Sequence, residues 1–259
     1  MGESFLTRLF KKKDKVSVTT AAVPNGVRAY AIGDIHGRLD LLQKLHGMIL
    51  EDSESGSSEI RKVIIYLGDY IDRGFQSKEV IEFLIGHTPK DFEAIYLKGN
   101  HEAQFMKFLK AGEGGQGWLQ FGGDATIFSY GVQIPNHLPI DDRFRHIQAS
   151  LQEAVPEHHI NFCSQLELTY ELGDYLFVHA GINPYEPLDR QSESDLLWIR
   201  DEFIGSDVNL GKVIVHGHTI NDVPDVQEYR IGIDTGAYIS GKLTCLVLEG
   251  DTKRFLSTK

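Results

Sequence analysis

The chain has 259 residues, of which 41% are apolar and 24% are charged, proportions that are ordinary for a globular protein in water. This length can form one α/β domain or two smaller ones. The formal net charge of −11 repels phosphate backbones, which excludes a nucleic-acid-binding module with a basic face. An anionic substrate must therefore be attracted locally, by metal ions or by a few arginines.

The N-terminal segment is a poor match to a secretory signal. In MGESFLTRLFKKKDKV the apolar residues precede four lysines, whereas a signal peptide places its charge first. We predict a flexible basic tail over residues 1–25, and a short amphipathic anchor to an anionic membrane surface is the alternative. No apolar stretch approaches the roughly 18 residues of a membrane span. Because Cys163 and Cys245 fit neither a disulfide framework nor a metal-ligand spacing, we expect a cytoplasmic protein.

Three strand–loop–helix units follow this tail. Continuous apolar runs predict strands at VRAYAIG (27–33), KVIIYLG (62–68) and AIYLKG (94–99). Each run is followed by a helical pattern, and in the first helix Leu42 and Leu45 share one face. This alternation is typical of an α/β fold with a largely parallel first sheet.

The remainder of the chain combines a less regular segment with more strands. Residues 111–165 begin with loop glycines and lack strong periodicity, so we predict a helical and loop cap beside the mouth of a site. LELTYELGDYLFVHA predicts a β-hairpin that turns at Gly173–Asp174. KVIVHG, YRIGID and LTCLVLEG are further strands without long helices between them, which favours a second, more antiparallel sheet. We take residues 26–259 as a single domain.

Side chains that can bind metals or transfer protons follow five of these strands. They occur in GDIHG (33–37), GDYIDRG (68–74), GNHE (99–102), HAG (179–181) and HGHT (216–219). Ligands bind at the carboxyl ends of strands in open α/β sheets, and divalent cations prefer carboxylate oxygen and imidazole nitrogen. One motif alone would indicate a solvated turn or a structural histidine, but five strand ends together predict a metal site.

The residue types at these ends allow two metal ions. Asp34 and His36 stand two apart and can chelate one ion. Asn100, His179 and a histidine of the HGH segment can hold a second. Asp69 lies between these sets and can bridge both ions, which forms a clamp for in-line phosphoryl displacement by a bridging hydroxide.

Three neighbouring residues suit the rest of that reaction. The guanidinium group of Arg73 matches two phosphate oxygens. His101 directly follows a candidate ligand and can protonate the leaving oxygen, with Asp72 orienting its imidazole. Surface or packing roles are predicted for the other histidines, which are His46, His87, His137, His146, His158 and His159. The pair at 158–159 is not predicted to be a ligand pair, because adjacent side chains on a helix point apart.

The five motifs, in this order, resemble the signature of the phosphoprotein phosphatase family of calcineurin-like metallophosphoesterases, in its bacterial and phage lambda phosphatase-like branch. The resemblance covers about residues 28–248. It implies a four-layer α/β fold in which two mixed β-sheets pack face to face with helices on the outside. It also implies two divalent metal ions, Mn²⁺ first among them with Fe, Zn, Co and Ni as alternatives, and direct attack on phosphorus by a metal-bridging hydroxide.

The resemblance also assigns roles to individual residues. It implies that the first ion is bound by Asp34, His36 and Asp69. It implies that the second is bound by Asp69, Asn100, His179 and His218. His218 is preferred to His216 because the family's ligand stands in GHT. The implied catalytic residues are His101, Asp72, Arg73 and Arg200, and the implied substrate-binding residues are Arg73, Asn100, Arg200 and Tyr238.

Three further segments match the family in part. Arg200 follows Trp198 by two positions in LLWIR, as a second phosphate-binding arginine does in this branch. GIDTGAY resembles a late family strand, which implies that Tyr238 faces the site. WLQFGGDAT is similar to a W..NGG segment of bacterial relatives, but Phe121 stands where asparagine is common.

The sequence thus predicts a phosphomonoester hydrolase, first of all a serine/threonine protein phosphatase, with phosphotyrosine left open as a substrate. The alternative enzyme is a symmetrical bis(5′-nucleosyl)-tetraphosphate (diadenosine tetraphosphate) hydrolase, although such enzymes tend to carry alanine where this chain has Asp72. The alternative outside enzymes is a metal-stabilised binding scaffold that has lost activity. The expected partner is a phosphorylated protein or a small phosphoester. The basic tail leaves membrane association open, and the sequence predicts no oligomeric state.

Overall fold

A computed structural model of the chain describes residues 16–55 and 60–259. Ten strands in this part of the chain form two five-stranded sheets. The strands are β1 (Val27–Ile32), β2 (Arg61–Tyr66), β3 (Phe92–Tyr96), β4 (Thr169–Leu172), β5 (Tyr175–Val178), β6 (Val213–His216), β7 (Asp225–Val226), β8 (Arg230–Gly232), β9 (Thr244–Glu249) and β10 (Thr252–Ser257).

The helices over the same residues surround these sheets. They are α1 (Leu39–Ser53), α2 (Ser77–Gly86), α3 (Asn100–Ala111), α4 (Gly115–Trp118), α5 (Asp124–Ser129), α6 (Ile140–Ala154), α7 (Glu157–Ser164), α8 (Glu193–Trp198), α9 (Asp201–Ile204) and α10 (Ala237–Ser240). A π-helical turn at Leu119–Gly123 joins α4 to α5, and a 3₁₀ turn spans Leu188–Arg190. The helices predicted after the first three strands are confirmed as α1, α2 and α3.

Both sheets are mixed. The first has the order β10-β9-β1-β2-β3, in which β1–β2 and β2–β3 are parallel and the other two pairs are antiparallel. The second has the order β4-β5-β6-β8-β7, again with two parallel and two antiparallel pairs. The predicted hairpin is confirmed as β4–β5, with Leu172 opposite Tyr175.

Two predictions about the sheets are wrong. The second sheet is no more antiparallel than the first, because β5, β6 and β8 run in the same direction. LTCLVLEG forms β9, which pairs with β1 in the first sheet instead of extending the second. Most of β9 is buried, and a buried strand needs hydrogen-bond partners along both edges, which β1 and β10 supply.

The hydrophobic core lies on both faces of each sheet. Between the sheets, Ala29, Val63 and Ile65 of the first pack with Phe177 and Val215 of the second. Because successive strand residues point to opposite faces, the intervening apolar residues of the first sheet face α1, α2 and α3. Helices α8 and α9 cover the outer face of the second sheet. The predicted four-layer α/β fold is therefore confirmed.

The N-terminal residues that the structure describes are packed. Ala21 and Val23 are buried in the core between the sheets, and the N–H group of Val23 donates to the carbonyl of Gly250. The prediction of a flexible tail is therefore wrong for residues 16–25, because their apolar side chains complete that core. The rest of the predicted tail, residues 1–15, lies outside the described residues.

Residues 111–165, called the cap below, are mainly helical and contain α4 to α7. Ile127, Tyr130, Ile147 and Leu151 of the cap belong to the core that covers the outer face of the first sheet. The cap thus shares its hydrophobic core with the helices that follow β1, β2 and β3. Among the described residues, no helix combines the length and apolar character required to cross a bilayer.

Candidate metal centre

The predicted ligands converge at one edge of the two sheets. They are Asp34 and His36 after β1, Asp69 after β2, Asn100 at the start of α3, His179 after β5 and His218 after β6, and all are buried. Ligand atoms of Asp69, His179 and His218 lie within 4.8 Å of one another, and so do those of His36, Asp69 and His101. The two groups share Asp69, the residue that is predicted from the sequence to bridge two ions.

The turns that carry these side chains have an unusual backbone. In the described chain, six residues other than glycine have a positive φ, and five of them belong to the predicted site: His36, Asp69, Asp72, Arg73 and His218. This left-handed conformation costs an L-residue roughly 1–2 kcal/mol, so the surroundings must hold it. The carbonyl of Asp69 accepts the N–H groups of Ile35 and His36, which ties the first two turns together. Strain of this kind is common at functional sites.

Backbone carbonyls set the orientation of two of the imidazole rings. Nδ1 of His36 lies 2.8 Å from the carbonyl oxygen of Ile71, and Nδ1 of His179 lies 2.8 Å from that of Leu67. Because a carbonyl only accepts, each Nδ1 carries the proton and each Nε2 is left with a lone pair. These Nε2 atoms lie 3.5 and 3.4 Å from the two carboxylate oxygens of Asp69. Metal-binding histidines are commonly held in this way.

Potential metal-binding atoms of four side chains face one another in the second group. Nε2 of His179 lies 2.9 Å from Oδ1 of Asn100, 3.2 Å from Nδ1 of His218 and 3.4 Å from Oδ1 of Asp69. Nε2 of His218 is buried and has no hydrogen-bond partner in the part of the chain that the structure describes. With the proton of His218 on Nε2, lone pairs of all four side chains would face one another, an arrangement that a cation between them stabilises. The donor atoms present therefore fit a divalent metal ion.

The protonation states of these groups also suit metal binding. Burial lowers the pKa of His36 to about 3 and that of His218 to about 2, and it lowers the pKa of His179 as well. Burial by itself raises the pKa of Asp69, but the surrounding histidines outweigh it and hold the pKa below the ordinary value. Metal ligands must be neutral imidazoles and ionised carboxylates, a condition met by His36, His179, His218 and Asp69.

Neither group contains Asp34, a predicted ligand, or His216, the histidine not chosen from the HGH segment. Both carboxylate oxygens of Asp34 accept the backbone N–H of His218, at 3.2 and 3.1 Å. Burial, with Asp234 and Asp69 nearby, raises the pKa of Asp34. His216 belongs to neither group and its Nδ1 lies 3.0 Å from the carbonyl oxygen of Gly217, which agrees with the choice of His218. Asp34 thus contacts the backbone of the ligand His218, but its carboxylate belongs to neither group of clustered ligand atoms.

His101 and Asp72 form a buried hydrogen-bonded pair. Nδ1 of His101 donates to Asp72 at 2.6 Å, and its Nε2 lies 3.9 Å from the carboxylate of Asp69. Burial lowers the pKa of His101, but the charges of Asp69 and Asp72 outweigh it and raise the pKa to about 9. Asp72 also accepts hydrogen bonds from the indole N–H of Trp118 at 2.8 Å and the hydroxyl of Thr126 at 2.5 Å. The cap therefore fixes the carboxylate that orients His101.

Four residues of the site were not predicted from the sequence. Trp118 and Thr126 are two of them: they begin and end WLQFGGDAT, which resembles a family segment, but no local pattern indicates a hydrogen-bond partner 46 or 54 positions earlier. Glu102 is fully buried and accepts the N–H groups of Asp69, Tyr70 and Gly99 at 2.9, 2.7 and 3.0 Å. It holds the turn after β2 in place.

Asp234 is the fourth residue missed. It follows β8 and is buried, and burial raises its pKa to about 6. The signal was available in the sequence, since YRIGID places an aspartate just after a strand, as VRAYAIGD and KVIIYLGD do. Applying the strand-end pattern to this strand would have found it.

Three of the four predicted substrate-binding residues, Arg73, Arg200 and Tyr238, stand at the rim of the site. The guanidinium carbon of Arg73 lies 4.7 Å from the ring centroid of Tyr238, a cation–π distance. The same ring is 5.4 Å from that of His36. Arg200 is exposed and donates to the carbonyl of His218 at 3.0 Å. One arginine thus stands beside each group of ligands.

A family model for calcineurin-like phosphoesterases matches residues 27–243 of the chain. The chain belongs to this family. The resemblance inferred from the five motifs is confirmed. Serine/threonine-protein phosphatase 2 of Escherichia coli (strain K12) is 29% identical to this phosphoesterase over 226 residues, covering 83% of this chain and 90% of that protein.

Other similar proteins are named as hydrolases of dinucleoside tetraphosphates. The asymmetrical bis(5′-nucleosyl)-tetraphosphatase PrpE of Halalkalibacterium halodurans is 26% identical over 220 residues, covering 83% of this phosphoesterase and 87% of that protein. The solved structure of a candidate diadenosine tetraphosphatase superposes with a TM-score of 0.59 at 20% identity, covering 92% of this chain and 96% of that one. At 20% sequence identity, the similarity of the two structures shows a shared fold and nothing about the substrate.

Membership of this family makes the protein a metal-dependent phosphatase, a hydrolase of phosphoric esters. The family implies divalent metal ions, and the side chains around Asp69 have the donor atoms that such ions require. The alternative of a binding scaffold without activity is therefore disfavoured.

Proposed function

We propose that this phosphoesterase hydrolyses phosphoserine and phosphothreonine esters of proteins, with phosphotyrosine as a further substrate, in a site that holds two divalent ions. The observation that carries the proposal is the pair formed by His101 and Asp72 beside the ligands of Asp69. A phosphomonoester of an alkyl alcohol has a poor leaving group, and such a substrate gains most from an oriented proton donor. The name of the E. coli relative supports the same activity.

The ligand sets follow the prediction from the sequence. Asp34, His36 and Asp69 would hold the first ion, and Asp69, Asn100, His179 and His218 would hold the second. When bound, two divalent ions polarise a phosphoryl oxygen and lower the pKa of a water molecule. Mn²⁺ is the first ion to test, and the donor atoms also suit Fe, Zn, Co and Ni.

The other residues bind the substrate and move one proton. Arg73 and Arg200 stand on two sides of the ligand groups and bind the phosphoryl oxygens through their guanidinium groups. The ring face of Tyr238 packs against the guanidinium group of Arg73 and helps to hold it in place. His101 gives the proton on Nε2 to the departing oxygen while Asp72 holds Nδ1. Water attacks phosphorus directly. Cys163 and Cys245 are buried in the hydrophobic core, so neither thiol is available as a nucleophile.

Hydrolysis of a dinucleoside tetraphosphate is the second candidate. A cavity of about 200 Å³ opens beside Asn100 and His101 and is lined by Trp118, Phe121 and Trp198, of which Phe121 and Trp198 are exposed. Aromatic rings of this kind stack on a nucleobase. The PrpE relatives are named for the asymmetrical reaction, whereas the sequence alone suggested the symmetrical one as the alternative.

One paired assay separates these candidates. The protein is stripped of metal and assayed with and without Mn²⁺ on peptides carrying phosphoserine, phosphothreonine or phosphotyrosine, and on diadenosine tetraphosphate. Mn²⁺-dependent phosphate release that is faster from peptides supports the proposal and ranks the three side chains. Faster turnover of the dinucleotide overturns it. In that case release of ADP alone indicates the symmetrical reaction, and release of ATP with AMP the asymmetrical one.

A further inference from the structure

A third group of potential metal ligands lies away from the strand ends. Glu82 of α2 and the pair His158 and His159 of α7 bring their ligand atoms within 4.8 Å of one another. Nε2 of His158 and Nε2 of His159 lie 2.9 and 2.8 Å from the same carboxylate oxygen, Oε2 of Glu82. The prediction that these adjacent histidines point apart is wrong. A carboxylate on the facing helix draws both rings together, and their centroids are 4.5 Å apart.

The buried member of this group is already oriented. The side chain of His159 is fully buried, and its Nδ1 lies 2.9 Å from the hydroxyl of Tyr130. A hydrogen bond at the second ring nitrogen fixes the ring and directs Nε2 toward Glu82, which is the arrangement common among metal-binding histidines. The side chains of Glu82 and His158 are 61% and 52% exposed, so an ion can reach the group directly from solvent.

We propose that Glu82, His158 and His159 bind one transition-metal ion of the Zn²⁺ class. Two imidazoles and a carboxylate are a frequent ligand set for Zn²⁺, and water completes the tetrahedron. Bonds of about 2.0–2.1 Å place tetrahedral donors roughly 3.4 Å apart. The present separations of 2.8 and 2.9 Å reach that value when the exposed Glu82 side chain moves by a fraction of an ångström.

A metal ion at this position joins the cap to the rest of the domain. His158, His159 and Tyr130 belong to the cap, whereas Glu82 belongs to α2. Helix α2 begins at Ser77, whose hydroxyl accepts the backbone N–H of Asp72 at 3.0 Å. The ion therefore fastens the last helix of the cap to the helix that supports the Asp72 turn. The ligands lie outside the residues assigned to catalysis, so the role proposed for the ion is to hold these two helices together.

Equilibrium dialysis of the full-length protein against Zn²⁺ tests the proposal. His158→Ala and Glu82→Gln should each bind one ion fewer than the wild type at saturation, since each loses a ligand at an exposed position that leaves folding intact. His146→Ala removes an exposed histidine of α6 and should bind as many ions as the wild type. Equal numbers of bound Zn²⁺ ions in the wild type and His158→Ala would overturn the proposal, whatever the substrate of the phosphatase centre.

A second variant tests the buried ring. Tyr130→Phe keeps the packing of the aromatic ring but removes the hydroxyl that orients His159. Loss of such an outer partner should weaken binding of the additional Zn²⁺ ion by roughly 10–100-fold without changing the number of ions bound. An unchanged affinity would contradict the assigned role of Tyr130. With Mn²⁺ in the phosphatase centre, His158→Ala should retain the phosphatase rate of the wild type.

Discussion

The strand-end turns and the cap contribute to the phosphatase centre in different ways. In the described chain, the ligand atoms around Asp69 come from turns after strands and from the first turn of α3. Trp118, Thr126 and Gly122 of the cap instead bind the side chain of Asp72 and the backbone of Arg73. The turns therefore supply the chemistry, and the cap adjusts how the proton donor and an arginine are held. Changes in the two regions should have separable effects.

Removal of the shared ligand should have the largest effect. Asp69→Asn takes away the negative charge that both groups of ligands share, so we expect loss of both ions and turnover at the metal-free background. Metal content and phosphopeptide hydrolysis are measured together. Asp91→Asn is the matched control, because Asp91 also has a left-handed backbone, with φ of 68°, but lies exposed in a loop. Retention of two ions by Asp69→Asn would show that Asp69 does not bridge them.

Removal of the proton donor should leave the metals in place. His101→Asn should lower the rate on a phosphoserine peptide by roughly 10²–10⁴-fold, the usual contribution of general acid catalysis. The loss should be much smaller for p-nitrophenyl phosphate, because nitrophenolate leaves without protonation. A fall in metal content would instead identify His101 as a ligand, a role that its distance of 3.9 Å from Asp69 also allows.

A change in the cap should lower the rate without removing metal. Trp118→Phe deletes the indole N–H that donates to Asp72 at 2.8 Å. A hydrogen bond to a charged group contributes about 1.5–3 kcal/mol, so we expect the free energy of unfolding to fall by that amount. The rate constant kcat should fall roughly tenfold, which equals about 1.4 kcal/mol in the barrier.

Urea denaturation and steady-state kinetics measure the two effects of Trp118→Phe. Trp198→Phe is the control for stability and should cost less, because Trp198 is 46% exposed. Loss of metal ions from Trp118→Phe would contradict the separation between the strand-end turns and the cap, since the cap would then also position the metal ligands.

The smallest effect on activity is expected from a change at Gly122, where the cap contacts Arg73. Gly122 has φ of 98°, and a Cβ there would lie 2.7 Å from Cγ of Arg73 and 2.8 Å from its backbone nitrogen. Gly122→Ala should raise KM several-fold, because Arg73 must move. Gly131→Ala is the matched control, since Gly131 also has a positive φ, of 77°, but open space around it. Both variants lose roughly 1–2 kcal/mol of stability to the left-handed backbone. Equal KM values would exclude a role of this contact in substrate binding.

Much of the centre could be predicted from the sequence for a local reason. An apolar run determines where a strand forms, and the residue after it therefore stands at the edge of the sheet. Asp69, His179 and His218 were found in this way, and the structure brings their ligand atoms together. The alternation of strands and helices likewise predicted an α/β fold, whereas the four layers were implied by the family resemblance.

The tertiary structure alone decided which distant segments meet. Three contacts depend on how finished elements pack. They are the pairing of β9 with β1, the hydrogen bond from Trp118 to Asp72 across 46 positions, and the contact of His158 and His159 with Glu82. No local pattern encodes these contacts, because a buried polar group is satisfied by whichever partner the packing brings near. The sequence by itself determined which reactive groups stand at the strand ends, and packing determined the contacts that hold them.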